Sequence, residues 1–362
     1  MSTIENLDED CLIEIFSYLN ICDRQHAEQV CKKWRSVNRI MWRSMKNLVF
    51  KLEKRNKTLV ENIARSGLRI RSDNILYLGD VLKMFDGNLT KFGFQYSDTP
   101  FATEDPPKIP NWILQLLSTN KKIIWARIEY SISDLIEILK ILPTDNLQYL
   151  SLELNEAHRI STNETIEEIF RNVPRLTSLK IDNMPASISH WFNEIKTLKS
   201  LEFISGDLLH LNTSNFINLE RIVLMDCSHI DDNFMMELVK NCQKLHTIAI
   251  SNADVSANGM NVITSLPNLR HLDTPFLNHE LFNNLSNLEE IYCEDFQLNV
   301  TEYQLSKFLQ RSPNLKQFNF TDEEVNELCY KLTTKLGMKT KIVDENPIWI
   351  DFFPFRCSFN SF

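Results

Sequence analysis

Glycine is scarce in this sequence of 362 residues, and the scarcity disfavours several classes of enzyme. The seven glycines never form a G-x-G triplet, and the closest pair, Gly87 and Gly93, is not followed by Gly-Lys-Ser or Gly-Lys-Thr. Dinucleotide-binding folds, protein kinases and P-loop enzymes need glycine where the backbone approaches a phosphate group, and the nucleophile elbow needs it for a sharp turn. Most nucleotide-driven enzymes are therefore disfavoured.

Paired cysteines and long apolar stretches are also missing. The eight cysteines form no C-x₂-C pair, the spacing with which ribbon and RING sites bring two thiolates to one zinc ion. The sequence has no run of 18 apolar residues, and its acidic start lacks the apolar core of a signal peptide. We therefore expect reduced thiols, no metal and no membrane association, with the protein in the cytoplasm, the nucleus or both.

Charge is distributed unevenly along the chain. The net charge is −9, but residues 1–60 hold 11 Lys and Arg against 8 Asp and Glu, which leaves −12 for the rest. Residues 32–57 contain ten Lys and Arg, one acid and two tryptophans, a composition typical of a helix that follows nucleic-acid phosphates. Because the acidic remainder would repel a polyanion, we favour a solvated basic face and expect no nucleic-acid partner.

An internal repeat organises the second half of the sequence. The pattern L-x-x-L-x-L, with some substitutions, occurs eight times at intervals of 19 to 29 residues, as in leucine-rich repeats. Each copy alternates as a short strand does, and helix-like segments such as 232–241 lie between copies. Unrelated βα units of an α/β domain are the alternative interpretation. The leading residues of the copies are Leu147, Leu176, Leu198, Leu219, Leu245, Leu269, Leu288 and Leu315.

One block of the repeat region, residues 227–245, resembles the cysteine-containing subtype of leucine-rich repeat. The resemblance implies that Cys227 and Cys242 are buried structural thiols that do not form a disulfide. Weaker copies at 89–94 and 123–128 extend the pattern upstream.

The first 45 residues have a helical period instead. Leu12, Ile15, Phe16 and Leu19 fall on one helical face, and their pattern, continued downstream, resembles the F-box. This three-helix motif binds the Skp-family adaptor of cullin-based SCF ubiquitin ligases. A helical cap for the repeats is the alternative. By this resemblance, the adaptor-binding residues are Leu7, Leu12, Ile15, Phe16, Leu19, Val30, Cys31 and Trp34.

Two positions depart from the F-box pattern. Asp8 replaces the usual proline, although aspartate is itself a good residue for starting a helix. Arg24 replaces an apolar residue, and this change would weaken the contact with the adaptor.

An F-box followed by leucine-rich repeats resembles the F-box/leucine-rich-repeat family. The resemblance implies an α/β fold, with a three-helix F-box ahead of a curved solenoid that has parallel strands on its concave side and helices on its convex side. It implies a non-catalytic substrate receptor that binds the Skp-family adaptor and cullin and holds a target protein for ubiquitination and degradation. The predicted domains are the F-box (1–45), a linker with degenerate leading repeats (46–145), the repeats (146–342) and a capping tail (343–362).

Two other functions are compatible with the sequence. An enzyme is the first, since catalytic residues can assemble from distant positions, but the eight histidines form no H-E-x-x-H pair. We expect no catalytic residue and no cofactor. A repeat scaffold without a ligase role is the second.

The repeat strands suggest a surface for the target. Residues on either side of the two apolar strand positions point away from the core, and over eight copies they include six acidic and two basic residues. This balance predicts a target with a basic surface, although a uniformly solvated acidic surface explains it equally well. The candidate target-binding residues are Tyr149, Glu153, Lys180, Asp182, Glu202, Arg221, His271, Asp273, Glu290, Tyr292 and Glu294.

Overall fold

The computed structural model divides the chain into two compact units, Met1–Thr177 and Ser178–Phe362. The predicted capping tail (343–362) lies outside the described residues, and the four domain boundaries stay predictions. The structure describes residues 4, 7–19, 21–53, 59–62, 67–97, 108–130, 132–154, 170, 173–184, 186–277, 285–296, 301–320 and 323–342.

Three helices open the first unit, namely α1 (Glu9–Ser17), α2 (Ile21–Val30) and α3 (Lys32–Ser44). The Asp8 carboxylate caps α1 by accepting a hydrogen bond from the Cys11 amide (2.7 Å), which is the helix-start role expected for it. The same hydrogen bond lowers the pKa of the Asp8 carboxyl.

A small apolar core holds the three helices together. The rings of Phe16 and Trp34 meet edge to face with centroids 5.0 Å apart, a geometry that contributes roughly 0.5–1.5 kcal/mol beyond burial. All three helices contribute to this core. Its buried members are Leu12, Phe16, Ala27, Val37 and Met41.

The rest of the first unit is a sheet with helices between its strands. The strands lie in the order β6-β5-β4-β1-β3-β2, and neighbours are parallel except for the antiparallel pair β2 and β3. The weaker copies of the repeat coincide with β4 and β5. The bounds are β1 (Asn47–Glu53), β2 (Leu59–Asn62), β3 (Gly67–Ser72), α4 (Leu76–Phe85), β4 (Lys91–Ser97), α5 (Asn111–Ser118), β5 (Trp125–Tyr130), α6 (Ile132–Ile141) and β6 (Tyr149–Leu154).

The second unit is a parallel sheet whose strands lie in chain order from β7 to β14. Helical segments connect several of its strands. The bounds are β7 (Ser178–Asp182), a 3₁₀ segment (Ala186–Glu194), β8 (Ser200–Ile204), a 3₁₀ turn (Thr213–Asn215), β9 (Arg221–Met225), α7 (Asp232–Asn241), β10 (Thr247–Ser251), α8 (Ala257–Thr264), β11 (His271–Leu277), β12 (Glu290–Phe296), α9 (Glu302–Arg311), β13 (Gln317–Phe320), α10 (Glu323–Lys335) and β14 (Lys341–Ile342).

The eight predicted copies of the repeat are confirmed as strands β6 to β13, each starting two residues after its leading leucine. Equivalent apolar residues of the copies are register partners. For example, Ile222 pairs with Leu201 on one side and with Ile248 on the other, and all three are fully buried. The predicted fold, three N-terminal helices followed by parallel repeat strands with intervening helices, is therefore confirmed.

The exit from several strands has one geometry. Ser205, Asp226 and Asn252 follow β8, β9 and β10 directly, and each has a φ near +50° (51°, 50° and 49°). This left-handed conformation is costly for most residues and is best tolerated by Gly, Asn and Asp. A repeated exit turn keeps successive repeats in phase even though their lengths differ.

The two cysteines of the repeat block are buried as predicted. Cys227 is 5% exposed and Cys242 is 0% exposed, and neither forms a disulfide. Burial raises the pKa of Cys227 to about 11 and that of Cys242 to about 12.

Candidate protein-binding surfaces

The predicted adaptor-binding residues divide into buried and accessible groups. Leu12 and Phe16 are 0% and 1% exposed, so they support the core of the three helices and do not reach a partner. Ile15 and Val30 are 39% and 59% exposed. A large apolar side chain with this accessibility is suited to an interface. The half-buried remainder comprises Leu7, Leu19, Cys31 and Trp34.

Tyr18 also belongs to the accessible group, although it was not among the predicted adaptor-binding residues. Its side chain is 80% exposed, and its hydroxyl donates a hydrogen bond to the Glu14 carboxylate (3.2 Å). It follows Ile15 by three residues, the spacing of neighbours on a helix surface. Tyrosine is enriched at protein interfaces, so this position is a further candidate for adaptor contact.

Trp34 has a structural role within the helices. It packs on Phe16, and its indole N–H is buried with no hydrogen-bond partner among the residues described. Cys31 starts α3, because its sulfur accepts a hydrogen bond from the Trp34 amide (3.4 Å). Truncating Trp34 would therefore disturb the helical core as well as any adaptor contact.

Arg24, which replaces an apolar residue of the F-box pattern, lies inside the helical bundle and is only 2% exposed. Its guanidinium donates hydrogen bonds to the carbonyl oxygens of Ser17 and Leu19, both at 3.1 Å. These carbonyls lie at the C-terminal end of α1, where the helix leaves acceptors unsatisfied and favours a positive charge. Burial lowers the pKa of the guanidinium. Arg24 thus joins α2 to the end of α1.

The strand face is defined here as the outward positions of the strands in the second unit. At β7 to β9 this face carries a cluster of ion pairs. The Lys180 ammonium lies 2.6 Å from Glu202 and 3.7 Å from Asp182, and the Arg221 guanidinium lies 3.4 Å from Glu202. Glu202 and Arg221 are 6% and 7% exposed, because the charged side chains pack against one another. Most of the charge predicted here is therefore balanced within the protein.

The centre of the strand face is apolar, which the sequence reasoning missed because it considered only charged and aromatic residues. Val223 and Ala249 are both fully buried, and Met225 packs against them. These residues occupy outward strand positions, where Val223 pairs in register with Glu202 and Ala249 with Asp273. A pattern search that retained small apolar residues at outward positions would have found them.

A second polar group lies on β11 and β12. The Nδ1 atom of His271 on β11 is 3.0 Å from a carboxylate oxygen of Glu290 on β12. Asp273, also on β11, is 1% exposed. The His246 ring meets the His271 ring with centroids 6.4 Å apart. Burial, reinforced by His271, lowers the pKa of His246. Tyr292 pairs in register with Asp273 and is half-buried.

The remaining candidates are placed differently. Tyr149 and Glu153 lie on β6 in the first unit, where the Tyr149 ring stacks on Trp125 with centroids 5.2 Å apart. The side chain of Glu294 lies outside the described residues. All eleven candidates stay predictions as target-binding residues.

No helix in the described parts of the chain is long and apolar enough to cross a bilayer. No three His, Cys, Asp or Glu side chains of those same parts group as metal ligands.

Comparison with known proteins identifies an F-box domain at residues 4–39. The chain is also similar to F-box/LRR-repeat protein 21 of Bos taurus, with 20% identity over 333 residues. The alignment covers 91% of this chain and 62% of that relative, so the chain spans less than two thirds of its length.

Two solved structures are similar at low scores. The leucine-rich-repeat-containing protein LegL7 from Legionella pneumophila has a TM-score of 0.40 at 14% identity, over 70% of this chain and 94% of that one. A chain of the Toll–Spatzle complex of Drosophila has a TM-score of 0.41 at 12% identity, over 66% and 34%. Neither score is high enough to carry an argument. The chain thus contains an F-box domain ahead of its repeat strands, and it is similar over most of its length to an F-box/LRR-repeat protein.

Proposed function

We propose that this protein is a substrate-recognition subunit of an SCF-type ubiquitin ligase. The observation that carries the proposal is the F-box match at residues 4–39, in a bundle that leaves Ile15, Tyr18 and Val30 accessible. F-box domains bind Skp-type adaptors in SCF complexes. The buried residues Leu12 and Phe16 fix the helices, and the accessible ones provide apolar contact area for such an adaptor.

The proposed mechanism needs no catalytic residue in this chain. The F-box would be held by the adaptor and cullin, while the repeats hold a target protein near the ubiquitin-transferring partner. Tethering raises the effective concentration of a target lysine, and this proximity accelerates the transfer. The cytoplasm, the nucleus or both is the compartment that we propose for this role.

We propose that the target binds the strand face. The ion pairs around Glu202 balance much of the charge at β7 to β9, and the polar group on β11 and β12 contributes Asp273 and Glu290. Of these two acids, Glu290 retains access to a partner, since its side chain is 16% exposed whereas Asp273 is buried. A target with a basic patch fits this arrangement of charge, and the half-buried Met225 adds an apolar side chain beside it.

The adaptor contact is tested with Val30→Asp. A carboxylate at a desolvated apolar contact is expected to lower adaptor affinity at least about tenfold, which is roughly 1.4 kcal/mol. Leu76→Asp on α4 is the matched control, because Leu76 is 47% exposed and lies outside the F-box. Affinity is measured by titrating purified full-length chain with the Skp-family adaptor.

The outcomes separate the competing functions. Equal adaptor affinity of Val30→Asp and Leu76→Asp would place the contact elsewhere on the helices. A chain that binds no adaptor but still captures a target protein would be a repeat scaffold without a ligase role. Val30→Asp is preferred to Trp34→Ala for this test, since Trp34 also supports the helical core.

A further inference from the structure

The proposed function does not explain the basic segment of residues 32–57. Its helical part is α3, and three of its arginines lie along one face of that helix. Arg35, Arg39 and Arg43 recur every four residues, so their side chains follow one another along the helix surface. Like charges at this spacing repel one another and destabilise a helix. An anion bound along this face would remove that repulsion.

A cavity of about 590 Å³ lies beside this face, lined by residues of α2, α3 and the α4 region. Its volume falls within the range of small-molecule sites, roughly 300–1,000 Å³. Four cations and two acids line it, which gives a formal charge of +2. These six residues are Glu28, Arg35, Arg39, Arg43, Lys83 and Asp86.

Both acids of the cavity already have partners. The Glu28 carboxylate accepts a hydrogen bond from the Trp42 indole N–H at 2.7 Å. Asp86 pairs with Arg43 at 3.5 Å, and the two side chains are 66% and 64% exposed. An ion pair this exposed contributes little stability, so Arg43 can turn to a ligand at small cost.

The cations retain donors for a ligand. The Arg35 Nε donates to the backbone oxygen of Glu28 at 3.1 Å, a bond that fixes the orientation of its guanidinium. Lys83 pairs with Asp80 at 3.1 Å in another exposed contact. Arg39 has no ion-pair partner in the part of the chain that the structure describes.

We propose that this cavity binds a small ligand that carries two or more phosphate groups. A guanidinium presents its N–H donors as a planar fork that matches two phosphate oxygens. Arginines four residues apart are separated by about 6 Å along a helix axis. A short chain of phosphates can therefore contact two of them, and Lys83 lines the same cavity. A single carboxylate would leave most of these donors unused.

The test is calorimetric titration of the full chain with inorganic tripolyphosphate. Arg39→Glu and Lys83→Glu are each expected to weaken binding at least about tenfold, because each replaces a charge-assisted donor with a repelling carboxylate. Lys240→Glu on α7 is the matched control, since Lys240 is 71% exposed and makes the same kind of local pair, with Glu237. Lys240→Glu is expected to change binding less than about twofold, because screened surface charges act weakly at a distance.

Arg39→Lys keeps the charge but loses the fork. We expect it to bind more weakly than the wild type and more tightly than Arg39→Glu. Thermal unfolding of each variant, without ligand, shows whether the fold is retained. A doubly phosphorylated peptide forms a second arm: tighter binding of the peptide than of tripolyphosphate, with the same sensitivity to Arg39→Glu, would support the site and assign its phosphates to a protein.

Three results would overturn the proposal. One is the absence of saturable binding up to about 1 mM tripolyphosphate, which would mean a dissociation constant weaker than about 1 mM. Another is an equal loss of binding in Lys240→Glu, which would indicate attraction by overall charge alone. The third is tighter, Arg39-dependent binding of duplex DNA, which would make the face a nucleic-acid surface.

Discussion

Two buried thiols show how local surroundings determine the chemistry of a residue. Cys227 and Cys242 are the same residue type as the exposed Cys11, yet burial raises their pKa values to about 11 and about 12. The thiolate is the reactive form, and at pH 8 only a very small fraction of either thiol is ionised, so both react slowly. The Cys227 sulfur also donates a weak hydrogen bond to the Met225 carbonyl oxygen (3.2 Å). These contacts make the two cysteines packing residues.

We therefore predict slow alkylation of both thiols in the native protein. At pH 8 and in native conditions, iodoacetamide should modify Cys227 and Cys242 on the order of a hundredfold more slowly than after unfolding. Peptide mass spectrometry measures the two rates, and Cys11 in the same sample is the exposed reference. A non-reducing digest provides the opposing result: a peptide pair joined through Cys227 and Cys242 would contradict the packing role.

At the scale of elements, Arg24 links all three helices of the F-box. Its side chain donates to the carbonyl oxygens of Ser17, the last residue of α1, and of Leu19 just beyond it, and its own backbone oxygen accepts a hydrogen bond from the Asn38 side chain on α3 (3.2 Å). The guanidinium also lies 5.9 Å from the centre of the Trp42 ring. A departure from the family pattern in sequence thus becomes a structural link between elements.

We predict that Arg24→Ala destabilises the helices. Loss of two charge-assisted hydrogen bonds and of buried packing should lower the free energy of unfolding by roughly 2–4 kcal/mol, measured by urea denaturation. Arg43→Ala is the control, since its ion pair with Asp86 is exposed and should contribute less than about 0.5 kcal/mol. Arg24→Met preserves volume without a buried charge and should cost less than alanine. Equal stability of Arg24→Ala and Arg43→Ala would show that the link is not stabilising.

The repeat strands were predictable because their period of two recurs eight times in phase. Strands β1, β2, β3 and β14 were not predicted, although β1 carries the signal: Met45, Leu48 and Phe50 occupy the three apolar positions of the pattern and all are buried. Methionine in place of the leading leucine hid this copy. The sequence also predicted which way Glu202 and Asp273 point but not their burial, because exposure depends on side chains of neighbouring strands that are distant in sequence.

The F-box was predictable in its helices and only partly in its surface. Spacing alone places Leu12, Ile15 and Phe16 on one helical face, but the core of the bundle covers only part of that face. Packing against α2 and α3 buries Leu12 and Phe16 and leaves Ile15 at the edge. The division between core and contact residues depends on how helices pack, which no single helical pattern contains.

At the scale of the whole molecule, charge is segregated along the chain. The first 60 residues carry +3 and the remainder carries −12. The basic part includes the phosphate site proposed on α3, and the acidic part includes the strand face proposed for the target. Opposite fields of this kind steer oppositely charged ligands to different parts of one protein and suppress binding at the wrong place.

We predict that Glu290→Lys slows association with the target. The substitution reverses one charge on the accessible part of the strand face, so a basic partner would be repelled where it is now attracted. At low ionic strength the association rate should fall roughly three- to tenfold, and the difference should shrink at about 0.5 M salt, where screening is strong.

The partner is the protein recovered with the full chain by affinity purification, and surface plasmon resonance measures the rates. Glu237→Lys on α7 is the control, because Glu237 is 60% exposed on the helical side of its repeat. Equal association rates for Glu290→Lys and the wild type at low salt would contradict the proposal that a basic target binds the strand face.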